Sequence, residues 1–208
     1  TVAADTTVDC DAIPVAEAAV EDNCDPNPDL TLEEIRNDGD CENSYLITRT
    51  WTATDAKGNS SVEVQLVTVQ DTTPPVITLP AADLAMECFD EAAVDAWIAT
   101  ATATDNCSGD VEVLTSYEAP ETNCGQTVTI TFTATDDCDN TTTVTKDITV
   151  DDTTPPENTC SDLTVYVNEN GEYELTEADI DVITANITDN CTSQDELEIV
   201  LSQQSFDC

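Results

Sequence analysis

Hydrophobic and polar residues alternate along short segments of this chain, and turn-forming residues separate the segments. The clearest case is residues 127–135, where valine, isoleucine, phenylalanine and alanine alternate with threonine. A period of two with β-branched residues predicts a half-buried strand. The same pattern predicts strands over residues 45–54, 62–69 and 144–150. Arg49 shares a face with Trp51, so we expect it near a sheet rim, paired with a carboxylate.

Weaker patterns predict the remaining elements. Residues 92–98 are consistent with a short helical turn, and Thr176 to Asp179 has the spacing of a capped one. Asn170-Gly171 is a strong hairpin signal. Further extended segments are expected at residues 6–10, 30–35, 163–167 and 197–201.

A repeated segment organises the chain. Asp71-Thr72-Thr73-Pro74-Pro75 recurs 81 positions later, at residues 152–156. Two consecutive prolines exclude a helix or a central strand, so each copy predicts a stiff, extended joint. Asp-Asn-Cys occurs three times, ending at Cys24, Cys107 and Cys191. Landmarks at this period predict repeated modules.

The joints predict three modules of roughly 80 residues. They are residues 1–71, truncated at the N-terminus, residues 72–152, and residues 153–208, which are incomplete. Short strands and polar turns predict an all-β fold, in which tandem immunoglobulin-like β-sandwiches form an elongated, disulfide-stapled array.

Composition narrows the class of function. The 208 residues carry 45 acidic and 4 basic side chains, for a net charge of −41. Such a charge repels nucleic acids and anionic lipids, and it favours cations or a saline medium. No apolar run approaches the roughly 20 residues of a membrane span. Ten cysteines without histidine indicate disulfides and a secreted, extracellular protein rather than zinc binding or catalysis.

The order of these motifs suggests a family. Asp-Thr-Thr-Pro-Pro, an acidic residue before cysteine, Thr-Asp-Asn-Cys, a third cysteine, Thr-Ala-Thr-Asp and a Gly/Asp-Asn loop together resemble hyalin-repeat (HYR-like) domains. The resemblance implies tandem modules of large, secreted bacterial surface adhesins of the type IX-secreted, gliding-bacteria type. One departure is Lys57, which stands where the second repeat has Cys138.

Cysteine spacing predicts a disulfide scheme. In each repeat the Asp-Asn-Cys cysteine is followed by another after 17 positions. The favoured pairs are Cys24–Cys41, Cys107–Cys124, Cys191–Cys208 and Cys88–Cys138. Connectivity cannot be read from sequence alone, so an alternative scheme stays open, with Cys88–Cys124 and Cys107–Cys138. Cys10 and Cys160 have no evident partner, and their mates are expected in other parts of the parent chain.

Aspartates near the joints predict calcium sites. In an immunoglobulin-type sandwich the relevant loops and the incoming chain share one end, which would gather carboxylates that repel one another without a cation. The first junction would use Asp71, Asp105, Asn106, Asp136 and Asp139. The second would use Asp151, Asp152, Asp189 and Asn190. The alternative is that these residues only form Asx turns.

The function expected from these features is a non-enzymatic stalk of a cell-surface adhesin. Its partners would be neighbouring repeats, and surface glycans or other cells contacted by other parts of the parent protein. One alternative is a self-assembling extracellular fibre of identical subunits with strand exchange. Another is a carbohydrate-binding module of a secreted enzyme, although aromatic residues are only 4%. Thr72 and Thr153 resemble bacterial O-glycosylation positions.

Overall fold

A computed structural model of the chain describes residues 1–120, 125–159, 161–202 and 205–207. Most of their regular structure is β-strand, as the alternating pattern predicts. The protein therefore has the all-β, immunoglobulin-like fold. No helix among the described residues is long and apolar enough to cross a membrane.

The described residues form strands and short helices in the following order. The strands are β1 (Thr6–Val8), β2 (Asp29–Asp38), β3 (Tyr45–Thr54), β4 (Ser60–Val69), β5 (Val76–Thr78), β6 (Ala85–Met86), β7 (Thr102–Asp105), β8 (Gly109–Val111), β9 (Val113–Ser116), β10 (Gln126–Thr135), β11 (Thr141–Val150), β12 (Glu157–Asn158), β13 (Glu172–Glu174), β14 (Ile187–Thr188) and β15 (Ser205–Asp207). The helices are α1 (Glu91–Ile98), α2 (Glu177–Thr184) and a 3₁₀ helix, Gln194–Glu196.

Spatial proximity divides the chain into two compact units. Unit one comprises residues 1–80, 98–116 and 131–146, and unit two comprises residues 81–97, 117–130 and 147–208. These units do not coincide with the three modules that the joints predict, since β10 and β11 contribute to both. The predicted module boundaries stay a prediction.

Unit one contains a four-stranded sheet in the order β1-β4-β3-β2. β3 pairs antiparallel with β2 and with β4 along its whole length, and β1 runs parallel to β4. A second sheet has the order β5-β7-β8, and β9 pairs antiparallel with Thr131–Ala134 of β10. The buried hydrophobic side chains on these strands include Trp51, Val67, Val69, Ala103 and Phe132.

Unit two contains shorter pairings. β6 runs parallel to the end of β11, and two antiparallel pairs join β12 to β14 and β13 to β15. Helix α2 begins with the predicted capping box, in which Thr176 and Asp179 exchange side-chain and backbone hydrogen bonds. The buried hydrophobic side chains described in unit two are Val94, Val128, Ile130, Ile148, Val150 and Ile187.

Arg49 is buried in the middle strand of the first sheet rather than at a rim. It is only 4% exposed. Its Nε donates to Glu34 Oε1 at 2.7 Å, Nη1 to Gln65 Oε1 at 3.3 Å, and Nη2 to the carbonyl of Pro14 at 2.9 Å. The expected carboxylate partner is confirmed. The predicted rim position is wrong, because acceptors on both neighbouring strands and the Pro14 carbonyl satisfy the buried guanidinium.

Two hairpin loops have the same hydrogen bonds at sequence positions 81 apart. In residues 55–59 the Asp55 carboxylate accepts from the backbone and side chain of Asn59. In residues 136–140 the carboxylate of Asp136 accepts from Asn140 in the same way. The fourth residue has positive φ in both loops, 86° at Gly58 and 66° at Asp139. Aspartate tolerates this conformation, which explains the exchange with glycine.

The described cysteines pair differently from the prediction. Disulfides join Cys10 to Cys107, Cys41 to Cys138, and Cys88 to Cys191, and Cys24 is free. They replace the favoured pairs Cys24–Cys41, Cys107–Cys124, Cys191–Cys208 and Cys88–Cys138, and also the alternative scheme. Cys124, Cys160 and Cys208 themselves lie outside the described residues.

The spacing argument failed for a physical reason. Equal gaps of 17 residues arise in any repeat, whichever cysteines meet in space. The observed disulfides close loops of 97 to 103 residues. In the chain-entropy model a loop of about 100 residues stabilises the fold by about 4.7 kcal/mol, more than a short loop does.

Two extended segments predicted in the last third do not form strands. Residues 163–167 and 197–201 are irregular, although the Asn170-Gly171 turn between residues 163–167 and β13 is present. The side chain of Tyr166 is 86% exposed and that of Val200 is 81% exposed. An alternating segment forms a strand only beside a neighbouring strand, and among the described residues these segments have none. The alternating side chains of Leu163, Val165, Leu197 and Leu201 are half-buried rather than buried.

We expect Phe132→Ala to destabilise the protein by about 3–5 kcal/mol, because it empties a fully buried position. Urea unfolding with the disulfides intact would measure the change. Thr127→Ala, on the same strand but exposed, is the matched control and should change stability by less than about 0.5 kcal/mol. Equal effects of the two substitutions would contradict the described core.

Candidate metal site

The candidate site begins where β4 ends and the Asp-Thr-Thr-Pro-Pro segment follows. Asp71 is 7% exposed. Its Oδ1 accepts the backbone N–H of Thr73 at 3.2 Å, an Asx turn. Its Oδ2 is buried and has no hydrogen-bond partner among the described residues. Because a buried carboxylate oxygen without a donor is costly, this position would favour a cation.

Asp105 supplies a second such oxygen. It is the last residue of β7, and its Oδ1 accepts the backbone N–H groups of Cys107 at 2.7 Å and Ser108 at 2.9 Å. Within the part of the chain that the structure describes, Asp105 Oδ2 is buried and has no partner. One carboxylate oxygen each from Asp71 and Asp105 lies within 4.8 Å of the other and of Cys107 Sγ.

The sulfur atom is not a ligand candidate. Cys107 is bonded to Cys10, so it has no thiolate to offer. The donors that remain are carboxylate oxygens, which hard cations such as Ca²⁺ and Mg²⁺ prefer. Asp71 and Asp105 are therefore the two side chains best placed to hold a metal ion.

Asp136 lies near this pair, but both of its carboxylate oxygens already accept hydrogen bonds. It is 6% exposed. Its Oδ1 accepts the backbone N–H groups of Cys138 and Asn140 at 2.8 and 2.9 Å, and its Oδ2 accepts from Asn140 Nδ2 at 2.9 Å. The same Nδ2 group lies 3.2 Å from the backbone carbonyl of Asp71. Asn140 therefore ties the hairpin loop to the joint.

Asp9 also binds the joint. Its Oδ2 accepts the hydroxyl of Thr73 at 2.9 Å, and its Oδ1 accepts the Asn106 amide at 3.1 Å. Sequence reasoning did not include Asp9 or Asn140 in the site. The signal that could have found Asp9 is an acidic residue directly before a cysteine, which recurs as Glu87-Cys88.

Within the cluster, burial and the neighbouring charges raise the pKa of one carboxyl group, that of Asp71. Burial raises the pKa of its carboxyl group, and the charges of Asp105, Asp136 and Asp9 raise it further. The pKa of Asp9 is lowered, chiefly by the hydrogen bond from Thr73. The ionised form of Asp71 is thus disfavoured in the metal-free protein, and a bound cation would reverse this effect.

The second joint has a related but more open arrangement. A carboxylate oxygen from each of Asp152 and Asp189 lies within 4.8 Å of the other and of Cys191 Sγ. Asp152 is half-buried rather than buried. Hydrogen bonds from the backbone of Thr192 and Cys191 lower the pKa of Asp189. Since Asp189 is already stabilised in its ionised form, this pair needs a cation less.

The other residues predicted as ligands have different roles. The amides of Asn106 and Asn190 lie near the sulfur atoms of the two adjacent disulfides, at 3.8 Å from Cys10 Sγ and 3.5 Å from Cys88 Sγ. Asp151 is exposed and donates its backbone N–H to Met86. Asp139 is exposed, at the positive-φ position of its turn.

The two threonines predicted as sugar carriers are both exposed. They differ in their contacts. The Thr153 hydroxyl donates to Glu87 Oε1 at 2.7 Å, and its backbone N–H donates to Glu87 Oε2 at 2.8 Å. In the first joint the corresponding hydrogen bond to an acidic residue comes from Thr73 and not from Thr72.

Comparison with known proteins supports a family for part of the chain. Residues 1–69 match the model of the HYR-like domain with 4 cysteines. HYR-like domains are extracellular, non-enzymatic modules of the adhesion type, and the disulfides of this chain fit that setting. A search of curated proteins gave no match to the chain.

We expect Asp71→Asn to raise the urea midpoint of unfolding at pH 7 in EDTA. The raised pKa means that the ionised carboxylate destabilises the folded state, and this cost disappears as the pH falls through that pKa. The difference between variant and wild type should therefore shrink towards acidic pH. A lower midpoint for the variant at pH 7 in EDTA would contradict this account of the site.

Proposed function

We propose that this chain is a non-enzymatic stalk segment of an extracellular, cell-surface adhesin whose joints are stiffened by Ca²⁺. The observation that carries the proposal is the buried Oδ2 of Asp71, which has no partner among the described residues and lies beside Asp105 at the Asp-Thr-Thr-Pro-Pro joint. The HYR-like match over residues 1–69 supports the adhesion-type, extracellular setting.

The stalk role rests on how the joint is held. Thr73 of the joint donates to Asp9, and Asn140 donates to the Asp71 carbonyl. Pro75 is fully buried. Proline and these hydrogen bonds restrict the backbone of the joint, which would let the segment resist bending.

A bound Ca²⁺ ion would offset the negative charge of the Asp71 and Asp105 carboxylates. The chain carries a net charge of −41, so a divalent cation near Asp71 and Asp105 would relieve local repulsion as well as the burial cost. Ca²⁺ accepts six to eight oxygen ligands in flexible geometry, and carbonyl groups or water would complete the shell. Mg²⁺ binds through one or two carboxylates and several waters, so it is the competing cation to test.

Glycosylation is a separate proposal for the exposed threonines. Thr72 is the better acceptor, because it lies on the surface of the joint while the Thr153 hydroxyl is engaged by Glu87. A sugar on Thr72 would shield the joint from proteases. Peptide mass spectrometry of the secreted protein would detect it.

The calcium proposal is tested by thermal unfolding with and without Ca²⁺. At a concentration 100 times the Kd, a cation that binds only the folded state stabilises it by about 2.7 kcal/mol. At this chain length we expect a Tm rise of several degrees in wild type. Asp71→Asn and Asp105→Asn should lose most of that rise, because both remove a carboxylate oxygen and preserve the Asx-turn acceptor.

Asp139→Asn is the matched control for this test. It also removes one negative charge from an Asx-turn loop, but Asp139 is exposed. Its response to Ca²⁺ should equal that of wild type. Equal loss in all three variants would indicate general charge screening rather than a site. A larger rise with Mg²⁺ than with Ca²⁺ would reassign the ion.

The proposed stiffening of the joint by Ca²⁺ leads to a second, independent prediction. Chelation by EDTA should broaden the distribution of interatomic distances in small-angle X-ray scattering, and added Ca²⁺ should restore it. The Asp71→Asn variant should show the broad distribution in both conditions. If chelation leaves scattering and melting temperature unchanged in wild type, calcium has no structural role, and the stalk would depend on prolines and disulfides alone.

A further inference from the structure

The three Asp-Asn-Cys loops have the same local structure. In each loop the aspartate Oδ1 accepts the backbone N–H of the residues two and three positions later. The distances are 2.9 and 2.7 Å for Asp22, 2.7 and 2.9 Å for Asp105, and 2.9 and 2.7 Å for Asp189. The three turns therefore present their cysteines, Cys24, Cys107 and Cys191, on the same kind of backbone.

Two of these cysteines are bonded to the same kind of partner. Cys107 is bonded to Cys10, 97 residues earlier, and Cys191 is bonded to Cys88, 103 residues earlier. Each partner follows an acidic residue, Asp9 or Glu87. Each of those acids accepts hydrogen bonds from threonines of an Asp-Thr-Thr segment. The partner is thus an acid–cysteine pair held against a joint.

The asparagine of each bonded loop contributes to this arrangement. Asn106 Nδ2 lies 3.1 Å from Asp9 Oδ1, and Asn190 Nδ2 lies 3.5 Å from Cys88 Sγ. Both amides are directed at the acid–cysteine pair. Each bonded loop therefore contacts its acid–cysteine pair through a disulfide bond and through an asparagine side chain.

The first loop, Asp22-Asn23-Cys24, has the same turn but no acid–cysteine pair bonded to it among the described residues. Cys24 is exposed and free, and Asn23 is exposed and makes no hydrogen bond that the described residues show. Cys41, 17 residues later, is not available, because it is bonded to Cys138. Of the described cysteines, Cys24 alone lacks a partner.

We propose that Cys24 forms a disulfide with the cysteine of an acid–cysteine pair in a module of the same kind, about 100 positions upstream in the same polypeptide. The two bonded copies of this loop in one structure carry the inference. Asn23 donates its amide to the acidic residue of that pair. The bond would continue the pattern of Cys10–Cys107 and Cys88–Cys191, and it does not depend on calcium.

Formation of this bond is an ordinary thiol oxidation. Each cysteine loses one proton and one electron, and the new S–S bond forms as a disulfide-bearing oxidant is reduced to two thiols. A thiol–disulfide oxidoreductase of an oxidising compartment, or a small-molecule disulfide, supplies that oxidant. The result is a covalent link between successive modules that does not rely on their non-covalent contacts.

The test is peptide mapping of the full parent polypeptide, secreted and trapped with a thiol-alkylating reagent before digestion without reductant. We expect the Cys24 peptide to be linked to a peptide that contains Asp-Cys or Glu-Cys from upstream. Alkylated Cys24, or Cys24 linked to Cys41 or to any cysteine without a preceding acid, would overturn the proposal.

Cys24→Ser provides a second measurement that does not need the linked peptide. In the parent polypeptide the variant should expose one new alkylatable thiol, at the upstream cysteine. In the 208-residue chain it should remove one thiol and leave Tm unchanged, since Cys24 is free among the described cysteines. Cys107→Ser in the 208-residue chain is the positive control and should expose Cys10. No new thiol in the parent variant would contradict the proposal.

Discussion

Aspartate carboxylates that accept backbone N–H groups shape the loops of this protein. One bond is common to five loops: the aspartate Oδ1 accepts the backbone N–H two positions later at Asp22, Asp55, Asp105, Asp136 and Asp189. Each of these turns uses one carboxylate oxygen to hold the backbone. This use satisfies donors that a short loop would otherwise leave to water, and it decides what the second oxygen can do.

The second oxygen separates the candidate site from ordinary turns. At Asp55 and Asp136 a following asparagine occupies it. At Asp71 and Asp105 it is buried without a described partner. Turn formation and cation binding were alternatives when only the sequence was considered, but they use different oxygen atoms of the same side chain. Both can therefore hold at Asp71 and Asp105.

The cysteines show where one-dimensional spacing misleads. The constant gap of 17 residues reflects the period of the motifs, and the sequence offers no information on which copies meet. The structure joins Cys10 to Cys107 and Cys88 to Cys191, which lie 97 and 103 positions apart in the sequence. Asp9 was missed for the same reason, because its contact with Thr73 joins residues 64 positions apart.

The sequence alone determined the strands with a strict period of two, such as residues 45–54 and 127–135, and the capped helical turn that begins at Thr176. These features depend on near neighbours along the chain, so local residue types suffice to predict them. Only the tertiary structure decided the cysteine pairing, the burial of Arg49, and the buried oxygens of Asp71 and Asp105 that have no partner among the described residues. Those depend on groups that are distant in sequence, whose approach is set by packing rather than by any local pattern.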